Sequence, residues 1–319
     1  MSKLADATPE EVRLAMRRAK ESFGPFRTLS GRKRSSLLCR IAEKIKGSKE
    51  TLIQTAERET ALGEKRLGME LVRTVSEIER FADFARKEEW RNRQFESADP
   101  LRQPLPKPNM VTQRIPIGPV VVIGACNFPF AISVVGTDTI SALAVGCPVI
   151  VKSHPEHAQT CQSIADLVKE AIEENNSPEY CFQLVHGQDH LVTRSLVQDP
   201  NASCIAFTGS LVGGQALSKL VAERPSPIPF HAEMGSLNAV FALPHAIGGD
   251  VRKLARNYLN AVNLFAGQMC TKPGAFILME DSSTPAFLDE ISEEIRRQRV
   301  LPLLNHSVYL NYLETTDAL

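Results

Sequence analysis

The segment GPVVVIGACNFPF, residues 118–130, decides the fold class of this chain. Its run Val120–Ile123 is apolar at every position, which is typical of a strand buried on both faces of a parallel sheet. The region from Arg114 to Lys152 holds a single charge, Asp138, but its prolines and glycines would break a membrane-spanning helix. We therefore predict a buried strand, a turn, a helix and a second strand here, and no membrane span.

Further apolar runs follow downstream, and they alternate with segments whose apolar residues recur at helical spacing. Those that read as strands are residues 149–151, 182–185, 205–207, 239–242 and 275–278. The alternation predicts a mostly parallel α/β sheet. Ligands of such sheets bind at the carboxyl ends of the strands. Asn127, Lys152 and Ser210 each follow a strand, so we expect all three to face one crevice.

Residues 8–90 have the pattern of helices. Thr8 and Glu11 form a capping box with Pro9 at the first helical position, and apolar residues recur at helical spacing in three segments. Residues 91–110 are polar and rich in proline, which predicts a crossing loop. A further helix is predicted after Ser282.

Composition restricts the partners and the compartment. Lys plus Arg equals Asp plus Glu, at 37 each, so no net charge favours nucleic acid or an anionic membrane surface. The polar N-terminus has no apolar secretory segment. Seven cysteines occur without a CxxC pair, which indicates a reducing cytoplasm with neither a disulfide framework nor a metal site.

Most of the cysteines and histidines are expected to have ordinary roles. The thiols expected to be small buried groups are Cys39, Cys147, Cys161, Cys181 and Cys204. The histidines near strand ends lack the spacing of metal ligands and are expected to be ordinary polar residues: His154, His157, His186 and His190.

Three side chains have the chemistry needed to form and hydrolyse a thioester. Cys270 lies among small and polar residues that would stabilise a thiolate, although a buried structural thiol is the usual fate of a cysteine. Asn127 would supply an amide to an oxyanion, or is a turn asparagine. Glu233 has apolar neighbours that indicate partial burial. Burial would raise its pKa and suit a general base, whereas most glutamates are exposed surface residues.

Two segments suit a nucleotide. Lys152, at a strand end, would contact ribose hydroxyls or a phosphate, unless it is a surface lysine. Ser210 follows Gly209 and precedes a helix whose N-terminal N–H groups would hold a phosphate, and Gly213 would let the ligand approach. No GxGxxG fingerprint follows any strand.

Taken together, these segments resemble the aldehyde dehydrogenase family. The matching segments, in the family's order, are residues 118–130, 148–152, 207–210, 233–235 and 267–271. The resemblance implies an aldehyde-dehydrogenase-like α/β fold. Residues 1–236 would form the N-terminal helices and a Rossmann-type dinucleotide-binding domain, and residues 237–319 would form an incomplete α/β catalytic domain.

The resemblance also implies a role for each candidate. Cys270 would attack the aldehyde carbon, Asn127 would hold the oxyanion, and hydride would pass to a nicotinamide cofactor. Glu233 would activate water to hydrolyse the thioester. Relatives that transfer the acyl group to coenzyme A or phosphate generally lack this glutamate, so a free acid is the favoured product over acyl transfer. The implied cofactor contacts are Lys152, Ser153, Gly209, Ser210 and Gly213.

NADP is the expected cofactor, with NAD as the alternative. Members that prefer NAD often carry a glutamate three residues after the lysine, where it would repel a 2′-phosphate. Here that position is Pro155, and Glu156 follows it. The segments around Asn127, Lys152 and Glu233 are similar to the branch that oxidises 2,5-dioxopentanoate (α-ketoglutaric semialdehyde). This implies a small oxo-acid aldehyde as substrate, although that branch also resembles NADP-dependent fatty aldehyde dehydrogenases.

The sequence departs from the family in two ways. Cys126 stands where the family usually has tryptophan. The family also continues much further past its cysteine, so we expect a truncated chain without the strand through which full-length relatives form homo-oligomers. Two functions are consistent with these patterns: an NAD(P)-dependent aldehyde dehydrogenase, and a non-catalytic cofactor-binding or interaction protein of the same fold.

Overall fold

The computed structural model describes residues 4–243, 249–280, 282–299 and 301–317. The chain divides into two compact units. The first comprises Met1–Glu59 and Gly63–Glu233, and the second comprises Met234–Leu319 with Thr60–Leu62. The predicted boundary after residue 236, between a dinucleotide-binding and a catalytic part, stays a prediction.

Four helices open the first unit. They are α1 Pro9–Thr28, α2 Gly31–Gly47, α3 Lys49–Thr60 and α4 Glu64–Lys87. Thr8 caps α1 and forms the predicted capping box with Glu11. The predicted apolar stripes of α1, α2 and α4 are buried, with Met16, Leu37 and Ile78 fully enclosed. Helix α3 was not predicted, because its apolar stripe is short.

A short antiparallel pair replaces part of the predicted crossing loop. Its strands are β1 Gln94–Glu96 and β2 Met110–Thr112. Both strands are exposed along their whole length, so no buried face marks them in the hydrophobic pattern.

A five-stranded sheet forms the centre of the first unit. Its strands are β3 Val120–Ile123, β4 Val149–Lys152, β5 Phe182–Val185, β6 Cys204–Gly209 and β7 Phe230–Met234. The order across the sheet is β5-β4-β3-β6-β7, and the β3–β4, β4–β5 and β3–β6 pairs are parallel. The predicted parallel α/β sheet is therefore confirmed. The chain runs from β3 out to β5 and returns to the other side of β3 at β6, which makes the space between β3 and β6 the switch point where such sheets bind ligands.

Four helices connect these strands: α5 Thr137–Val145, α6 Ala158–Glu174, α7 His190–Gln198 and α8 Leu211–Ala222. Helix α5 packs on β3 and β4, and α1 packs on β4 and β5. Every residue of β3 and β4 is buried, as expected for parallel strands covered by helices.

The second unit has its own small core. Strands β8 Asn238–Ala242 and β9 Pro273–Leu278 pair in parallel. Helix α9 Val251–Asn263 lies between them in the chain, and α10 Thr284–Arg297 and α11 His306–Asp317 follow β9. Ala242, Ala255 and Phe287 are buried together, and Phe276 stacks on Phe287 with 4.9 Å between ring centroids. The helix predicted after Ser282 is confirmed as α10, although Ile295 of its predicted stripe is exposed.

Among the described residues, no helix is both long enough and apolar enough to cross a membrane.

The burial of the sheet predicts a large cost for truncating a central side chain. Ile150 of β4 is 0% exposed, whereas Ile117, which precedes β3, is 51% exposed. Ile150→Ala should lower the free energy of unfolding by about 2–5 kcal/mol, since it removes buried methyl groups and leaves a cavity. The matched control Ile117→Ala should change it by less than about 0.5 kcal/mol. Urea unfolding measures both, and equal effects would contradict the burial described for β4.

Candidate active site

The carboxyl edge of the sheet carries three of the predicted residues. Lys152 is the last residue of β4, Ser210 follows β6 directly, and Asn127 lies in the turn after β3. Because β4, β3 and β6 are parallel neighbours, all three residues lie at the same edge. Asn127 and Ser210 flank the switch point between β3 and β6.

The turn that carries Asn127 is tied to helix α4 by a buried ion pair. Arg66 and Glu70 lie one helical turn apart, each 5% exposed, with 3.2 Å between Arg66 Nη1 and Glu70 Oε2. Arg66 donates a hydrogen bond to the carbonyl of Asn127. Glu70 Oε1 accepts from the N–H groups of Phe130 at 2.7 Å and Ala131 at 2.9 Å. The pair therefore binds the backbone on both sides of residues 128–129.

Burial and the neighbouring charge shift the pKa values of Arg66 and Glu70 in opposite directions. Burial raises the pKa of Glu70, while the two N–H groups and Arg66 act in the opposite direction. Burial lowers the pKa of Arg66, and Glu70 opposes that shift. The guanidinium also lies 4.8 Å from the centroid of the Phe128 ring. Each charge thus depends on the other and on the turn to offset its lost hydration.

Lys152 is buried at the end of β4. Of the two predictions for this residue, a ligand contact or a surface lysine, the second is therefore wrong. Its Nζ donates to the carbonyl of Ser153 at 3.2 Å, and Ser153 is itself buried. Burial lowers the pKa of Lys152, and Cys161, Asp6 and Asp189 oppose the shift. A buried ammonium group at a strand end is suited to an anionic or polyhydroxyl ligand.

A cavity of about 260 Å³ lies beyond the carboxyl ends of β4 and β5. The side chains that line it include Asp6, Glu59, Ser153, Pro155, Glu156 and His186. Two of these carboxylates already bind backbone: Glu59 accepts from the N–H groups of Gln159 and Thr160 at the start of α6, and Asp6 accepts from the N–H of Gln188. A larger open groove of about 670 Å³ lies between α3 and α4 and is lined by none of the candidate residues.

Helix α8 begins directly after Ser210, as predicted, and Ser210 also caps it. Ser210 Oγ accepts from the N–H of Gly213 at 3.1 Å. A Cβ at Gly209 would lie 2.5 Å from the ring of Phe207, and one at Gly213 would lie 3.2 Å from Ser210 Oγ. The two glycines therefore make room for the Phe207 ring and the Ser210 hydroxyl at the carboxyl end of β6.

Glu233 differs from its prediction. It lies within strand β7, the last strand in the sheet order, and its side chain is exposed, so the predicted partial burial is wrong. The apolar neighbours Ala232 and Met234 alternate with it along the strand and take the less exposed positions. The carboxylate is thus open to solvent and reachable by water.

Cys270 is exposed, in a turn between α9 and β9. Its carbonyl accepts hydrogen bonds from Ser236 Oγ and, at 2.7 Å, from Asn238 Nδ2. The backbone before it passes through positive φ at Phe265, Ala266 and Gly267, with values of 52°, 57° and 71°. Cys270 is therefore held through its backbone while its side chain stays accessible. Asn127 and Glu233 belong to the first unit and Cys270 to the second, so the convergence of the three stays a prediction.

A thiol–imidazole pair was missed by the sequence analysis. Cys161 Sγ lies 3.2 Å from His157 Nδ1 and 3.4 Å from Ser133 Oγ, and both members of the pair are fully buried. Burial by itself would raise the pKa of Cys161, but His157, Ser133 and Ser153 lower it to about 7. Burial would lower the pKa of His157, but Cys161 and its other partners raise it overall. The one signal in the sequence is the spacing of four residues, which places the two side chains one helical turn apart.

His154 completes this cluster. Its ring stacks on His157 with 5.1 Å between centroids, and its Nδ1 accepts from the N–H of Glu156. Burial, with His157 and Lys152 close by, lowers the pKa of His154 to about 3, so the ring is neutral at physiological pH. These histidines are structural parts of the edge of the sheet, not the ordinary polar residues that were predicted. In the part of the chain that the structure describes, no group of three His, Cys, Asp or Glu side chains could hold a metal ion.

The chain is similar to known proteins over almost its whole length. The model of the Aldehyde dehydrogenase family matches residues 1–310. An α-ketoglutaric semialdehyde dehydrogenase from Acinetobacter baylyi is 34% identical over 99% of this chain and 60% of its own length. Alpha-ketoglutaric semialdehyde dehydrogenase 2 from Azospirillum brasilense is 36% identical over 88% of this chain and 54% of its own length. The chain thus spans less than two thirds of the length of these relatives.

A solved structure shares the fold. The NADP-dependent glyceraldehyde-3-phosphate dehydrogenase from Bacillus halodurans C-125, complexed with NADP, superposes with a TM-score of 0.81 at 22% identity. The superposition covers 95% of this chain and 62% of that one. The predicted α/β fold is confirmed.

The exposure of the cysteines predicts their reactivity. Cys39 and Cys270 are exposed, which corrects the prediction of a buried Cys39, whereas Cys161 is buried. Iodoacetamide should modify Cys39 and Cys270 faster than Cys161 by roughly a thousandfold or more, because a buried thiol reacts only after the structure opens. Mass spectrometry of peptides measures each rate. Rapid alkylation of Cys161 in the native protein would show that its lowered pKa, and not burial, controls its reactivity.

Proposed function

This chain belongs to the aldehyde dehydrogenase family, and from that premise we propose that it oxidises an aldehyde to a carboxylic acid with NADP or NAD. The observation that carries the proposal is the exposed thiol of Cys270, which is held by its backbone in a turn. Its segment, residues 267–271, resembles the segment that carries the nucleophile in the family. Four other thiols, Cys147, Cys161, Cys181 and Cys204, are buried and out of reach of a substrate.

Each candidate side chain has a defined task in this proposal. The Cys270 thiolate adds to the aldehyde carbon and gives a thiohemiacetal, while the Asn127 amide donates a hydrogen bond to the developing oxyanion. When bound, the nicotinamide ring would accept the hydride that leaves this carbon, and a thioester remains on Cys270. Glu233 takes a proton from water, the resulting hydroxide attacks the thioester, and the acid departs as Cys270 is regenerated. The exposure of Glu233 supports this last step, since the step needs water at the carboxylate.

The carboxyl edge of the sheet fits the cofactor. We assign dinucleotide binding to residues 1–236, with Lys152 and Ser153 at the adenosine ribose and Ser210 with Gly209 and Gly213 at the diphosphate. The cavity beside Ser153 and the place of Ser210 at the start of α8, next to the switch point, support this assignment. Pro155 brings no charge to the cavity, which supports NADP, whereas the carboxylates of Asp6, Glu59 and Glu156 in the same lining keep NAD as the alternative.

The proposed substrate is a small oxo-acid semialdehyde such as 2,5-dioxopentanoate. Its support is the 34% and 36% identity to α-ketoglutaric semialdehyde dehydrogenases. Residues 237–319 would then form part of the catalytic domain, in keeping with the 60% and 54% coverage of those relatives.

Replacement of Cys270 tests the proposal. Cys270→Ala should abolish NADPH formation from 2,5-dioxopentanoate, because alanine has no nucleophilic atom, while NADP binding measured by fluorescence titration should remain. The matched control is Cys39→Ala, which also removes an exposed thiol and should keep full activity.

Two outcomes would contradict the proposal. Unchanged turnover in Cys270→Ala would remove the nucleophile. NADP binding without NADPH formation by the unmodified chain, with any aldehyde tested, would favour a non-catalytic cofactor-binding protein.

A further inference from the structure

We propose that Arg66 and Glu70 are positioning residues that fix the turn carrying Asn127, so that its carboxamide is held in one orientation toward the oxyanion. The inference rests on the proposed function of Asn127. Neither Arg66 nor Glu70 is placed in contact with substrate or cofactor; both act through the backbone of the turn.

The contacts lie on both sides of the turn. Arg66 donates to the Asn127 carbonyl at its start, and Glu70 accepts from the N–H groups of Phe130 and Ala131 at its end. The 3.2 Å ion pair joins the two contacts on one face of α4. A shift of this turn would therefore break a charged hydrogen bond at one end or the other.

The interior of the turn is also constrained. A Cβ at Gly124 would lie 2.0 Å from the Ile132 carbonyl, so the chain entering the turn and the chain leaving it are already in close contact. The Arg66 guanidinium lies over the Phe128 ring, directly after Asn127 in the chain. These contacts restrict the residues on either side of Asn127 and leave its side chain half-buried.

An oxyanion donor needs this kind of support. A hydrogen-bond donor lowers the barrier only if it points to the oxyanion before the reaction starts. Catalytic groups must be held to within about 0.5 Å of their productive position, which requires rigid neighbours. The turn after β3 is not part of the sheet ladder, so the buried ion pair supplies the rigidity that a strand would otherwise give.

The test uses apolar replacement of the whole pair in the 319-residue protein. Arg66→Met with Glu70→Leu removes both charges together and leaves no unpaired charge buried, which such pairs often tolerate. Arg66→Met with Glu70→Gln keeps an oxygen for the two N–H groups and serves as the conservative rescue. The matched control is Arg17→Met with Glu21→Leu, an exposed ion pair of the same spacing on α1.

The first readout does not depend on activity. Amide hydrogen exchange at Phe130 and Ala131 should become at least about tenfold faster in the Met–Leu variant, because the acceptor of their hydrogen bonds is gone. It should return toward the wild-type rate in the Met–Gln variant and remain unchanged in the control. Should the Met–Leu variant fail to fold, the Met–Gln variant carries the test, with intermediate exchange and activity expected.

The second readout is a mutant cycle with Asn127→Ala. In the wild-type background the Met–Leu variant should lower kcat by about 100-fold, comparable to the loss of one oxyanion donor, with KM for NADP little changed. In the Asn127→Ala background the same pair of changes should alter kcat by less than about twofold, because the group it positions is already absent.

The outcomes separate the two proposals. Unchanged exchange, or equal losses of kcat in both backgrounds, would overturn the positioning role. If the wild-type chain makes no NADPH but amide exchange is faster in the Met–Leu variant, the proposed function is wrong. The inference that the ion pair fixes the turn would still stand.

Discussion

The structure of the first unit depends on its buried parallel strands, in which every backbone N–H and C=O group must form a hydrogen bond. β3 and β4 are buried at every residue, so each N–H and C=O group must find its partner in the next strand. This requirement fixes the register of β4, β3 and β6 and brings their carboxyl ends to one edge. The turns that leave this edge are the places where polar side chains collect, and the candidate residues Asn127, Lys152 and Ser210 all lie there.

Several buried polar and charged side chains lie beside this edge. Arg66, Glu70, Lys152 and His157 are all less than a tenth exposed, and each would be costly alone. Their partners offset that cost: Glu70 with Arg66 and two N–H groups, Lys152 with the Ser153 carbonyl, and His157 with Cys161. Buried titratable groups with specific partners are typical of functional sites, which is why this edge and not the larger surface groove is the candidate site.

The sequence predicted the elements whose hydrophobic pattern is strong. The runs at β3 and β5 coincide with the observed strands, and the capping box of α1 is present. β1 and β2 were missed because exposed strands have no buried face, and β7 because its alternation lies beside a proline-rich segment. A local pattern also says little about tertiary burial. Glu233 was expected to be partly buried and is exposed, while the four-residue spacing of His157 and Cys161 does not reveal that both side chains are fully buried. The Arg66–Glu70 contacts with the turn after β3 join residues about sixty positions apart, which no local spacing reveals.

The central claim is that Cys270 forms a covalent thioester that Glu233 helps water to remove. Its most direct test is to mix a Glu233→Gln variant with 2,5-dioxopentanoate and NADP, stop the reaction with acid, and map the acyl group by peptide mass spectrometry. The account predicts an acyl adduct on Cys270 that accumulates in the variant and turns over in the wild-type protein. An adduct on another residue, or none in a variant that still makes NADPH, would contradict it.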